Sequence, residues 1–471
     1  MPKVCIIIVN WNGKDIVSKT LESVMQLTYK DFDVVVVDNA SSDGSVEFIK
    51  NRFSEVKVIM NKKNLGGTGG FNTGIRHALK KKYPYIWLLD NDVIVDRDSL
   101  LSLVEVMEKD SGIGIAGSKI LQMENPDIIW EVGVKMDWNK VGRVLINHNM
   151  KDTTDDHRVY EVDHVAACSL LVRTSSINKV GLMDENYFWC FDDVDWCLSF
   201  KKGGFKVVAV SDSKIWHPNF EEKSKGKISK RNYFSTRNWL YLIQKHTNGF
   251  QKMRCIRKTL AREFSAMFIY KLNDNEYAYR IFSMAVKDFF FAKLGGVTGD
   301  FDKAAPELKS ELKSMGKIID IKKLNPRKIL IYPSTSISDA RKVVNAIRNI
   351  LPDAEIHFLI EENRKFGLTD LGINTFIPYK GPTRLYFLEL LKLRRNSYDL
   401  GIMPYKTFSD IDIMKRILRY EDDQFYEIER NNMVLQITKM LLSTVVGELL
   451  GTILLPFWWT RKFAHSEYLV K

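Results

Sequence analysis

Val4–Val9 is an unbroken apolar run, largely β-branched and bounded by polar residues. Such a run forms a strand covered on both faces. A helical spacing of apolar positions follows from Ile16 to Met25. The stretch "FDVVVVDNASSDGS" then repeats the strand pattern and ends on Asp38 and Asn39. Ser45–Asn51 has helical spacing, Val56–Met60 reads as a strand, and "NLGGTGGFNTGI" reads as a glycine-rich loop entering a helix near Asn72. Ile86–Leu89 is a further buried strand, running directly into Asp90 and Asp92. Strands alternating with helices predict a parallel sheet with helices on both faces. Polar residues recur just past these strands: Asn10 and Asn12, Asp38 and Asn39, Asn64, Asp90 and Asp92. Ligands of open α/β sheets bind at the carboxyl ends of the strands, so these clusters are expected to share one crevice.

Residues 112–217 mix short strands such as "HVAACSLLVR" with loops and the acidic, aromatic segment "DENYFWCFDDVDW". Residues 232–300 look largely helical, and 301–327 are charged and linker-like. A fresh α/β pattern starts at "KILIYPSTS", with strand candidates Ile329–Tyr332, Glu355–Ile360, Asn374–Ile377 and Leu400–Met403. The expected organisation is a catalytic domain over 1–245, a helical extension and linker over 246–326, a smaller Rossmann-like α/β domain over 327–432 and an apolar C-terminal helix over 433–471. A chain of 471 residues exceeds one compact core, which agrees with several units.

Charge changes the picture little. The formal net charge of +12 suggests anionic partners: phosphorylated small molecules, an anionic membrane surface or nucleic acid. No nucleic-acid motif supports the last, and none is expected as a partner. Cysteines 5, 168, 190, 197 and 255 are scattered, lack zinc-site pairing and fit a reducing compartment. The N-terminal run is too short and too early for a signal peptide.

A D-x-D at a strand end reads on its own as a turn or as a cation site. The glycine run follows the third strand and not the first, which disfavours a dinucleotide fingerprint. It offers backbone N–H groups and close approach at Gly66 and Gly67. Asn39, Ser41 and Asp43 read equally as turn and capping residues.

The order "IIIVNWNG", "VVVVDNASSDGS", "NLGGTGGFNTGI", "WLLDNDV", "GLMDENYFWCFDDVDWCLSFKKGGF" and "IWH" resembles the family-two glycosyltransferases of GT-A fold. The subgroup it resembles is that of the rhamnosyl- and galactofuranosyl-transferases of bacterial surface polysaccharides, and the resemblance covers residues 3–250. It implies transfer of a sugar from a UDP- or dTDP-linked nucleotide-diphosphate donor to a hydroxyl of a growing glycan, lipid-linked or free. Asp92 and His217, with Asp90, would hold Mg2+ or Mn2+. Asp193 would be the general base, supported by Asp192. Asn10, Asp38, Asn64, Gly66, Gly67, Asn72, Asp90 and Arg237 are the donor-side candidates, with Asn238 beside Arg237. Trp189, Asp192 and Asp195 are the acceptor-side candidates. A catalytically inactive sugar- or nucleotide-binding protein on the same scaffold is the alternative.

Two stretches stay open. The basic segment "PNFEEKSKGKISKRNYFSTRN", with Lys223, Lys225, Lys227, Lys230 and Arg231, reads either as a solvated charge run or as a lid over the departing diphosphate. Residues 440–459 read either as a helix lying in a membrane interface or as a core helix of the second domain. Gly447 and Gly451 hint at helix pairing there. The expected location is the cytoplasm, at the inner face of the cell membrane, and a homo-oligomer is left open.

Overall fold

In the computed structural model the described residues are 2–153, 156–218, 229–272, 275–296, 319–332, 337–361, 368, 370–379, 398–403, 417–421, 424–427 and 442–453. The segment 219–228, which carries Lys223, Lys225 and Lys227, lies outside them, as do the linker residues 301–318 and the tail beyond 453.

The chain opens β1 (Val4–Asn10), α1 (Lys14–Met25), β2 (Phe32–Asp38), α2 (Ser45–Arg52), β3 (Lys57–Met60), α3 (Gly66–Lys80) and β4 (Tyr85–Asp90). There follow β5 (Ile94–Val95), α4 (Ser99–Lys109), β6 (Ile113–Gln122), β7 (Ile129–Glu131), β8 (Val134–Asp137), β9 (Gly142–Leu145) and β10 (Val159–Glu161). The domain closes with β11 (Ser169–Arg173), α5 (Thr174–Val180), α6 (Asp192–Lys202) and β12 (Lys206–His217). Ten strands form one sheet along the path β10-β12-β6-β11-β4-β1-β2-β3, with β5 on β12 and β7 on β6. Pairing is parallel through β4-β1-β2-β3, and β11 is inserted antiparallel between β4 and β6.

The apolar runs are explained by cover on both faces. Ile6, Ile8, Trp87 and Leu89 point into a core shared with α1 and α4. Cys5, Ile7, Ile86 and Leu88 point into a second core shared with α3, α5 and α6. The chain builds outward from β1 to β3, then crosses back to add β4 on the other side of β1. The topological switch therefore falls between the carboxyl ends of β1 and β4, where a crevice opens.

The glycine run is not a loop. Helix α3 begins at Gly66, earlier than the expected start near Asn72, and Gly70 and Gly74 form its packing face on the sheet. A Cβ at Gly70 would stand 2.6 Å from Val9, and one at Gly74 would overlap Ile7. Their absence lets α3 lie directly on β1.

Three helices follow the sheet: α7 (Lys230–His246), α8 (Gly249–Leu272) and α9 (Glu276–Phe290). Their apolar faces share a core with Tyr187 and Val194, so they back the segment that leads into α6. A six-stranded second sheet is built from β13 (Lys328–Ile331), β14 (Glu355–Glu361), β15 (Thr375–Tyr379), β16 (Leu400–Met403), β17 (Ile417–Glu421) and β18 (Gln424–Glu427), with the helices α10 (Ile321–Leu324) and α11 (Ile337–Ile350). Its order β15-β14-β13-β16-β17 is Rossmann-like, and β18 returns antiparallel. The strands β17 and β18 were not legible as strands in the sequence. The last described helix, α12 (442–453), lies against α8: Ser443 hydrogen-bonds Ser265 at 3.2 Å and Glu448 pairs with Arg257.

Candidate active site

The carboxyl end of β4 is held open by neighbours that fix its turn. The Thr20 hydroxyl donates to the carbonyls of Asn91 and Val93, at 2.8 and 2.7 Å. The short strand β5 then pairs antiparallel with β12, Val95 opposite Ile215 and Ile94 opposite Trp216. That pairing brings residue 217 to residue 92. His217 Nε2 lies 3.3 Å from Asp92 Oδ1 and 3.7 Å from Asp90 Oδ2. Its Nδ1 lies 2.8 Å from the Pro218 carbonyl, which places the second ring proton there and turns Nε2 toward the acids. Trp130 packs against the imidazole, ring centroids 5.2 Å apart. One ligand atom from each of Asp90, Asp92 and His217 falls within a 4.8 Å span. Two carboxylate oxygens and an imidazole nitrogen suit a divalent cation such as Mg2+ or Mn2+. Burial pushes the His217 imidazole down, but hydrogen bonds to Asp90 and Asp92 outweigh it and raise the group to about 10.

The second carboxylate cluster starts α6. Before it runs a turn in which Phe188, Cys190 and Phe191 all take the left-handed backbone, at φ of 64°, 68° and 66°. Non-glycine residues rarely adopt it, and three within four residues store strain that the surroundings must hold. The amide of Asn238 on α7 supplies much of the restraint. Its Nδ2 reaches the carbonyls of Tyr187, Trp189 and Cys190, at 3.0, 2.8 and 2.9 Å. Arg237 adds contacts to the carbonyls of Asn186 and Tyr187.

Within α6, Asp192 is 8% exposed and accepts from the Thr68 hydroxyl at 2.8 Å. Burial, then the charge of Asp193, raise its carboxyl to about 7. Asp193 accepts from the backbone N–H of Ala167 at 3.2 Å and of Val194 at 2.8 Å. His164 Nε2 lies 3.2 Å from its Oδ2. Burial pushes Asp193 up, yet His164 and the two N–H groups outweigh it and hold the group below the usual carboxylate range.

Both clusters border one residue, Cys168. In the β4–β11 register Ser169 stands opposite Leu89, so Cys168 adjoins Asp90. Ala167, its other neighbour, donates to Asp193. The buried thiol is pushed up by burial and by the charges of Asp90, Glu131, Asp92 and Asp193 together. One cleft therefore receives the D-x-D end of β4, His217 from β12 and the first turn of α6.

The remaining candidates divide. Asn10 is buried and bridges strands, donating toward Asp38 and Ser41 and accepting from Asn91. Asp38 is 1% exposed and accepts from the Ser41 backbone N–H and Asn10, so its carboxylate closes a turn. Asn64 caps the backbone N–H of Gly66 at 2.8 Å. Gly66, at φ +73°, is pressed against the Phe188 carbonyl, whereas Gly67 faces open space. Trp189 is exposed beside the acidic turn, edge-on to Phe234.

Three candidates have their polar atoms engaged within the fold. Asn72 is buried, with its amide donating to Met183 and Glu185 and accepting from the Met183 N–H. Arg237 is 1% exposed, and its guanidinium serves Tyr233, Asn238, Lys293 and the acidic turn, which it braces. Asp195 lies on another face of α6 from Asp193, 2% exposed and paired with Lys245 and His246. Sequence reasoning missed His164 and Thr68. His164 lies in no motif, and Thr68 lies within the glycine run without marking itself; the fold brings them to Asp193 and Asp192.

Residues 5–168 match the profile of the family Glycosyl transferase family 2. Galactofuranosyltransferase GlfT1 of Mycolicibacterium smegmatis is 21% identical over 218 residues, covering 46% of this chain and 70% of that protein. Galactofuranosyltransferase GlfT2 of Mycobacterium tuberculosis is 23% identical over 201 residues, covering 40% of this chain and 31% of that protein, so the chain spans under a third of its length. Among solved structures, S. aureus TarS 1-349 superposes with a TM-score of 0.42 at 14% identity, covering 65% of this chain and 81% of that one. The profile match runs from β1 through the D-x-D end of β4 to Cys168, the residue on which both acidic clusters border. The likeness to glycosyltransferase family 2 thus spans the first part of the chain, residues 5–168.

Proposed function

We propose that the chain is an inverting, metal-dependent transferase that moves a sugar from a UDP- or dTDP-linked donor to a hydroxyl of a growing surface glycan. The observation that carries this reading is the meeting of Asp92 and His217 with Asp193 around Cys168. Asp92 and His217, with Asp90, would hold a divalent cation, which when bound offsets the charge gained by the departing diphosphate. Asp193 takes the proton of the acceptor hydroxyl as the new oxygen–carbon bond forms. The bond to the diphosphate breaks in the same event, and its electron pair leaves with the phosphate oxygen. One base with no covalent nucleophile gives inversion at the anomeric carbon. Asp192, raised to about 7, is largely protonated below neutrality and suits hydrogen bonding to the acceptor. Exposed Trp189 beside it offers a sugar platform.

The likeness to galactofuranosyltransferases favours a galactofuranosyl donor. Leu442, Val445, Leu449 and Ile453 on α12 are exposed and apolar, which supports peripheral contact with the inner face of the cell membrane. No described helix is long and apolar enough to cross a membrane.

The test is a donor screen. Purified chain is mixed with UDP-, dTDP- and GDP-sugars and Mn2+ or Mg2+, with and without lipid-linked acceptors, and nucleotide release is measured. Metal-dependent release stimulated by acceptor is expected. Binding of nucleotide sugars without release under any condition would instead mark an inactive scaffold.

A further inference from the structure

Asp192 and Asp193 are neighbours in sequence, both start α6, and both face the cleft, so something must decide which one receives the proton. The difference lies in what each touches. Asp192 accepts from the Thr68 hydroxyl and from backbone N–H groups of its own turn, with no ionisable side chain bonded to it. Asp193 has two backbone N–H groups and one ionisable side chain, His164.

His164 is 3% exposed. Its backbone is tied to β8: the Val134 N–H donates to the His164 carbonyl at 3.0 Å, and the His164 N–H donates back to the Val134 carbonyl at 3.2 Å. The ring therefore has a fixed origin under the cleft. Among the described residues neither ring nitrogen makes a well-aligned hydrogen bond, although Nε2 stands 3.2 Å from Asp193 Oδ2. A buried imidazole without another aligned partner is costly unless it serves the group it faces.

We propose that His164 is the positioning residue that selects Asp193, and not Asp192, as the proton acceptor, by holding its carboxylate ionised and oriented from beneath the cleft. The inference rests on the transferase reading above. Opposite directions of titration in the two acids agree with it: Asp193 is held low and Asp192 is raised. Pairs of carboxyls driven apart by their surroundings divide into acid and base roles. Other groups facing Asp193 work against ionisation and not for it. They are Asp192 and the Cys197 thiol on α6, Asp90 on β4, and the thiols of Cys168 and Cys190. Of the side chains that touch Asp193, the imidazole is the one that favours its charge.

The test combines a pH profile with a spectroscopic reading on the full chain. In His164→Ala, kcat should fall about 10²-fold, the scale of a misplaced catalytic group. The acid limb of kcat/KM should move up by about one pH unit or more, as expected for losing a side chain that favours the ionised carboxylate. The donor KM should stay within about twofold, because the donor site is untouched. His164→Gln, which keeps an N–H donor, should recover part of the rate. A uniform fall at every pH with an unmoved limb would mean a packing role and overturn the proposal. So would variants that keep the parent rate and limb.

The second reading needs no turnover. The protein carries eight histidines, few enough for ring-carbon-labelled spectra. The His164 resonance, identified by its loss in His164→Gln, should move in Asp193→Asn and move less in Asp192→Asn. An unmoved resonance in Asp193→Asn overturns the proposal even if the parent is a transferase. Absence of turnover in the parent with every donor would instead sink the transferase reading, and the two failures are read separately.

Discussion

Asn238→Ala is the sharpest probe of how the acidic cluster is held. The side chain is fully buried, and its two N–H groups serve three carbonyls. Tyr187 keeps a contact from Arg237 after the change, at 3.3 Å. The carbonyls of Trp189 and Cys190 rely on this amide and are partly buried, so each unsatisfied group costs about 1–2 kcal/mol. The turn also stores strain at Phe188, Cys190 and Phe191, about 1 kcal/mol or more each, which relaxation would release. Local opening of 187–191 should therefore become easier by about 2–4 kcal/mol, roughly 30- to 1,000-fold in the opening equilibrium. Hydrogen exchange of peptides spanning this turn measures it, with peptides from β1 and β2 as internal references. Transfer should fall with it, since Asp192 and Asp193 directly follow the turn. Exchange unchanged within about fivefold, or a turn that opens while transfer proceeds at the parent rate, would refute the reasoning.

Other outcomes follow from the same geometry. In the metal-free protein His217, at about 10, carries a proton through neutrality, and a cation must displace it; Mn2+ affinity should rise with pH, up to about tenfold per unit, with proton release visible by calorimetry in buffers of different ionisation enthalpy. Replacing His217 by Ala should remove most of that pH dependence and weaken Mn2+ binding about tenfold or more. Asp192, at about 7 in the folded state, sits above the ordinary carboxyl value of 3.8, so the folded state binds the proton more tightly and loses stability relative to the unfolded state as pH rises from about 4 to 7. Asp192→Asn lacks that loss and should gain on the parent across this window, by at most about 4 kcal/mol and with no further gain above it; thermal midpoints at pH 5 and pH 8 check this. A Cβ at Gly447 would overlap the Ala261 carbonyl, so Gly447→Leu should lift α12 from α8, read as faster proteolysis after residue 441.

Much of the frame is legible in the sequence because its signals are local. The apolar runs of β1, β2 and β4 survive as buried strands, since each is covered on both faces. Asp92 and His217 meet as the motif order implies, through the pairing of β5 with β12. What escaped depends on the partner across the fold. Glycines 70 and 74 look like loop residues until α3 lies on β1, where a missing side chain is a packing requirement. Arg237 reads in the sequence only as a donor-side candidate, and its bracing of the strained turn shows once the fold brings the two together. Asp195 shares a sequence cluster with Asp193 but not a helix face, and meets Lys245 instead. His164 carries no motif at all, and its place beside Asp193 comes from its bridge to β8.

The central claim is that a cation-holding cluster and a proton-accepting carboxylate act across one cleft. Single-turnover transfer by Asp193→Asn, loaded with nucleotide sugar and Mn2+ and offered acceptor, tests it most directly. The account predicts donor and metal binding within about twofold of the parent, and a transfer rate at least about 10²-fold lower. Transfer at the parent rate would contradict it.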